Sequence, residues 1–185
     1  MSTSASAPES SASAATAGIV TSVNSALARI PHSLIALVAR FSIAAVFWKS
    51  GQTKIQGLAI DIVNGSFELG WPRLSDSAVD LFRDEYKVPL LAPETAAVLA
   101  AVSEHMLPLL ILLGLATRLS ALGLLAMTAV IQLFVYPDAY PTHGVWAAVL
   151  LLLMARGAGV LSVDHLIARR HRAWREEHRR CVSAQ

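Results

Sequence analysis

Apolar residues along this chain gather into long blocks, and four of the blocks approach the length of a membrane crossing. A hydrocarbon core of about 30 Å takes roughly 20 helical residues at about 1.5 Å of rise each. Residues 33–50, 95–115, 119–136 and 145–163 meet that condition. Arg40 interrupts the first block, Glu104 and His105 the second, and Arg156 lies toward the end of the fourth, while 119–136 holds no charged residue. Only Ala116, Thr117 and Arg118 separate the second block from the third, so these two form a tight hairpin, and residues 137–144 make another short turn. The pattern predicts an all-α membrane protein, an antiparallel four-transmembrane-helix bundle. Ala96 with Ala100, Ala97 with Ala101, and the run Ala155, Gly157, Ala158, Gly159 let helices approach closely, which favours a compact bundle over a wide pore.

The segments between and beyond the blocks divide the chain into 1–30, a membrane domain over 31–166, and a tail over 167–185. Residues 1–18 are rich in Ser and Ala and lack the basic and apolar regions of a cleaved leader, so they read as a disordered tail. Residues 19–30 suit a short lead-in helix, and Pro31 marks entry to the first span. In the long connection 51–94, the stretch SDSAVDLFRDEY over 75–86 has a helix-start signal and then mixes apolar with charged residues. It predicts a short interfacial helix. Residues 57–72 fit a brief strand or a loop equally well, and VPLLAP over 88–93 reads as an extended lead-in to the second span.

Charge sets the orientation. Arg29, Arg118 and the six arginines between Arg169 and Arg180 fall on one side of a four-span protein, which places both termini in the cytoplasm. Trp48, Tyr136, Tyr140 and Trp146 then collect at the opposite interface as an aromatic belt. With 55% hydrophobic and 15% charged residues, the chain is poorer in charge than soluble domains at about 25%, which agrees with lipid as its solvent. The tail segment LIARRHRAWREEHRR is a basic amphipathic stretch suited to anionic lipid or to a soluble protein partner. Nothing in the pattern calls for a nucleic acid, and a homo-oligomer is compatible with it.

Ionisable groups inside lipid are costly, so Arg40, Glu104 and His105 are the candidates for ligand binding or proton carriage. If the first two spans start level with the two membrane surfaces, Arg40 and Glu104 differ in depth by only about 6 Å, within reach of an arginine side chain. An ion pair between them is therefore expected, with a purely structural pin between the helices as the competing reading. Pro108 cannot donate to the carbonyl of Glu104, which marks the same turn as special. His105 is rotated by about 100° from Glu104 and faces elsewhere. Arg156, Lys49 and Lys54 read as residues that reach the interface, and His143 as a polar residue at a helix start. The single Cys181 excludes an internal disulfide, dithiol or cysteine metal site. No phosphate loop, haem attachment motif, HExxH or paired histidines occur, so no metal is expected.

Several fragments together resemble the DoxX family: RFSIAAVFWKSG with Lys54 after it, then EYKVPLLAPE, a central glutamate and LLGLATR, and finally GAGVLSVDHL. In the last fragment Ala158 stands where the family pattern has proline, and Val160 where it has a basic residue. Arg40, Lys49, Lys54, Glu104 and Asp164 are the positions that match. The resemblance implies a bacterial inner-membrane protein linked to redox chemistry, a non-autonomous subunit of a membrane oxidoreductase with a quinone or small ligand at its polar site. A small-solute or proton-coupled transporter and a scaffold without catalysis are the alternatives, because activities vary within one fold.

Overall fold

The computed structural model describes residues 9–61 and 65–183. Seven α-helices and one β-hairpin follow in the order α1 (Glu9–Leu27), α2 (His32–Gln52), β1 (Ile55–Asp61), β2 (Ser66–Leu74), α3 (Asp76–Leu81), α4 (Pro93–Leu113), α5 (Thr117–Val130), α6 (Tyr140–Arg156) and α7 (Val163–Ser183). A wider π turn extends α3 through Phe82–Tyr86, and another extends α5 through Ile131–Val135. Helix α1 starts ten residues before the lead-in helix expected at 19–30; residues 1–8 of the expected tail lie outside the described residues.

Helices α2, α4, α5 and α6 pack on one another around a single core. Ile43, Phe47, Ile111, Leu124, Leu150 and Leu153 fill it and are essentially withdrawn from the surface. The opposite sides of the same helices stay apolar and exposed, at Phe41, Val102, Met106, Leu133 and Leu151 among others. A water-soluble chain does not leave such surfaces uncovered, whereas lipid-facing helices must have them. Three helices, His32–Gln52, Pro93–Leu113 and Thr117–Val135, are long and apolar enough to cross a membrane. Helix α6 has 17 residues, about 26 Å of rise, slightly less than the hydrocarbon thickness.

The all-α expectation needs one correction. Strands β1 and β2 form an antiparallel two-stranded sheet, with Ile55 opposite Leu74 and Asp61 opposite Ser66. A register shift between Gln56 and Leu58 bends the hairpin, and this irregularity is why no clean period-two alternation appears in the sequence. The short helix expected over 75–86 is present as α3 with its π turn. Its Phe82 packs with Ala96 and Ala97 of α4 in a second, smaller core.

At the opposite end, Gly114 adopts φ +70° and closes α4 in a left-handed turn, its N–H donating to the Ile111 carbonyl at 3.0 Å and that of Leu115 to Leu110 at 2.9 Å. The segment leaving α6 folds back onto this turn. The Asp164 N–H donates to the Gly114 carbonyl at 2.9 Å, and the Asp164 carboxylate accepts from the N–H groups of Ala116 at 2.8 Å and Thr117 at 3.0 Å. An acidic residue borrowed from 48 positions away thus caps the N-terminus of α5.

Candidate functional site

The polar residues singled out from the sequence separate into two clusters. Near the hairpin, Lys54 Nζ lies 2.7 Å from Glu104 Oε2, and both side chains are almost fully buried, at 5% and 3% exposure. The two remaining ammonium protons go to the Ser50 carbonyl at 3.3 Å and the Ser50 hydroxyl at 3.2 Å. Every donor of the cation is satisfied, which is the condition for an ion pair to persist away from water. Lys54 lies just beyond the last residue of α2, and the turn N–H bonds of Thr53 to Ser50 and Lys54 to Gly51 fold the chain back so that the lysine points along α2 toward α4.

Arg40 does not pair with Glu104. Its Nε donates to the Ile111 carbonyl at 2.8 Å, Nη1 to the carbonyls of Ala158 at 3.2 Å and Leu161 at 2.6 Å, and Nη2 to that of Leu112. These acceptors are carbonyls at the C-terminal end of α4 and in the turn after α6, where a cation is favoured; the Ile111 carbonyl also accepts from the Gly114 N–H. The expected pair failed because α2 and α4 do not start level. Gly51, near the end of α2, sits against Glu104 and His105 instead of the first turn of α4. That offset is about ten residues, or about 15 Å. It carries Glu104 away from Arg40 and brings it level with Ser50.

The close approach that sets this level depends on Gly51. A Cβ there would lie 2.8 Å from His105 Cε1 and 3.1 Å from Glu104 Cβ. Gly51→Ala is expected to force the two helices apart at a cost of about 1–3 kcal/mol. The expected readout is a lower midpoint in detergent-induced unfolding; an unchanged midpoint would show that the helices meet elsewhere.

His105 belongs to a strut beside the ion pair. Its Nδ1 donates to the Ala101 carbonyl at 2.6 Å, and its Nε2, 2.9 Å from Gln52 Nε2, then accepts from that amide. The Gln52 carbonyl oxygen accepts from the Ile60 N–H at 2.8 Å, and the Trp48 ring stands edge-on to the imidazole at 5.0 Å. This chain links α4 to α2 and to β1, so the histidine is occupied on both nitrogens. Pro108 is buried inside α4 between the two clusters.

A cavity of about 630 Å³ opens beside the ion pair. Lys54, Glu104, Ser50 and Ser103 belong to its polar part; Phe47, Leu99, Met127, Ile131 and Trp146 are among the apolar side chains that make up most of the rest. Lys49 lies on the wall as an exposed cation. Phe82, Tyr86 and Val88 from the segment after the hairpin cover one side, and the Tyr136 hydroxyl donates to Glu85 Oε1 at 2.6 Å, fastening that cover to the end of α5. His143 also lines the cavity, buried and 2.7 Å from Gln132 Oε1 through Nδ1. Its role was not visible from its position at a helix start. The signal available was Gln132, the one amide in a third block that holds no charged residue, spaced to meet it across the turn. Among the described residues no group of three or more His, Cys, Asp or Glu side chains could hold a metal.

Long apolar helices with exposed apolar sides, joined by polar contacts that are buried and satisfied, define an integral membrane protein with an internal polar site. The DoxX family model matches residues 35–137, and the chain belongs to the DoxX family. Comparison with curated proteins and with solved structures finds no match.

Proposed function

We propose that the cavity beside Lys54 and Glu104 receives the polar head of a quinone-sized or smaller amphipathic ligand, and that the protein serves as the membrane subunit of a redox system. The observation that carries this reading is a buried carboxylate and ammonium on the wall of a largely apolar cavity of about 630 Å³. Ligand sites of membrane and soluble proteins share that design: an apolar lining gives affinity and a few convergent polar groups fix orientation. A quinone fits it, with Lys54 able to turn one ammonium proton from Ser50 to a ring oxygen and Glu104 able to exchange a proton with one. When bound, a quinone would supply two-electron acceptance; the chain itself has one cysteine, so electrons would come from a partner oxidoreductase.

In this reading α6 is the fourth span and the helices run antiparallel in a bacterial inner membrane. Arg29, Arg118 and the basic α7 then share the cytoplasmic side with both termini, which is the arrangement favoured by the distribution of basic residues. The hairpin and α3 lie on the outer side, over the mouth of the cavity.

The test is retention of quinone by the full chain purified in mild detergent, quantified after solvent extraction. Wild type is expected to retain quinone in a fixed molar ratio, and Glu104→Gln to lose most of it while keeping its size-exclusion profile. Equal retention by both proteins would remove the ligand role from Glu104. A proton-coupled carrier is the second reading, favoured by the same buried carboxylate. It requires pH-dependent solute flux in liposomes containing this chain alone.

A further inference from the structure

We propose a second binding site, for a phosphate-bearing anion, in the cleft at the opposite end of the molecule from the Lys54–Glu104 pair. The cleft, of about 700 Å³, lies between the start of α2, the α4–α5 turn and the segment from the end of α6 into α7. Arg118, Arg156 and Arg172 come to it from three different elements, and no described acidic side chain lies within ion-pair distance of any of them. Asp164 is the acid on its wall, and its carboxylate already accepts from the backbone of Ala116 and Thr117.

Unbalanced charge alone would mark only a basic surface. The second observation is a pair of orphaned polar atoms: Thr117 Oγ1, on a side chain only 1% exposed, and His32 Nε2 are both buried with no hydrogen-bond partner. Both residues line this cleft. These are the two orphaned side-chain atoms among the described residues. Buried polar atoms nearly always have a partner in protein or ordered water, and two without a protein partner at a single cleft are met by oxygen atoms from solvent or from a ligand that displaces it. A hydroxyl, an imidazole and three arginines on the wall of one cleft together match a phosphate, which accepts through several oxygens and pairs with arginine in bidentate fashion.

The phosphate can arrive on a lipid headgroup or free in solution. Exposed Leu119 and Val160 on the same cleft offer apolar surface to acyl chains, so both sources enter the test. The full chain in neutral detergent is titrated with phosphatidylglycerol and with phosphatidylcholine, followed by native mass spectrometry, and with inorganic phosphate, followed by calorimetry. Saturable one-to-one binding of phosphatidylglycerol or of inorganic phosphate is expected. Phosphatidylglycerol alone assigns the site to a lipid headgroup, and binding of inorganic phosphate assigns it to soluble phosphates.

Arg118→Gln with Arg156→Gln is expected to weaken binding about tenfold or more. Thr117→Val should weaken it severalfold. Arg172→Gln, at an exposed residue with no described partner, tests the same site should the double variant fail to fold. Arg169→Gln with Arg175→Gln, elsewhere on α7, should leave the one-to-one site intact. The proposal is overturned if neither anion binds one-to-one, if phosphatidylcholine binds as well as phosphatidylglycerol, or if the cleft variants bind like wild type.

Discussion

Arg40→Leu is expected to be the most damaging single replacement in the protein, costing roughly 4 kcal/mol or more in unfolding free energy. The guanidinium donates to four carbonyls, those of Ile111 and Leu112 at the end of α4 and of Ala158 and Leu161 after α6. Leucine would remove that donor from all four and leave only Ile111 a described partner, the Gly114 N–H, where lipid and packed side chains exclude water. The loss also has a direction: the 157–163 segment would be held to the end of α4 only through Asp164, so protease cleavage there should accelerate before the helices separate. Arg40→Lys should recover less than half of the loss, because one ammonium cannot reproduce a planar fork that reaches two chain segments. Detergent-titrated unfolding of the three proteins measures this. An Arg40→Lys protein as stable as wild type would show that charge alone is required.

The Lys54–Glu104 pair gives the second large effect. Glu104→Leu alone, or Lys54→Met alone, should cost about 3–5 kcal/mol by leaving an uncompensated charge in a site exposed by only a few per cent. The double replacement should restore most of that stability, because well-packed apolar residues replace a buried ion pair at little net cost. Function separates the readings of the pair. A scaffold in which the contact only joins helices would work with the double replacement, whereas a site that orients a ligand or carries a proton would fold and be inactive. The double-mutant coupling energy, compared with quinone retention by the same four proteins, distinguishes the two.

Much of the helical part of this arrangement is legible in the sequence, since hydropathy alone marks α2, α4 and α5 to within a few residues. The helix after Ser75 was equally plain from its start signal. The hairpin was not, because Gly57, Gly70 and Pro72 interrupt strand periodicity and the bulge breaks the alternation that would have revealed it. Arg40 and Glu104 stand out in the sequence as ionisable residues within apolar blocks, and both are buried, but their partners are not legible there. Backbone carbonyls leave no trace in a sequence, and the shift of α4 relative to α2 depends on the contact at Gly51. Lys54 looked like an interfacial lysine because it lies beyond the helix end; only the backward turn through Thr53 buries it. Asp164 matches the family pattern, but its physical task, capping α5, depends on the turn after α6 folding onto the α4–α5 turn, which no local sequence signal marks.

Everything proposed for the cavity depends on Lys54 holding the buried carboxylate of Glu104. Solid-state NMR on the chain in lipid bilayers, with 15N-labelled Lys and Arg side chains and a 13C-labelled Glu carboxyl, measures this through nitrogen–carbon dipolar coupling. The 2.7 Å contact between Lys54 Nζ and Glu104 Oε2 predicts strong dephasing of the Glu104 carboxyl by a lysine nitrogen that vanishes in Lys54→Met. Dephasing by an arginine nitrogen that vanishes in Arg40→Leu, or no coupling to any side-chain cation, would contradict it.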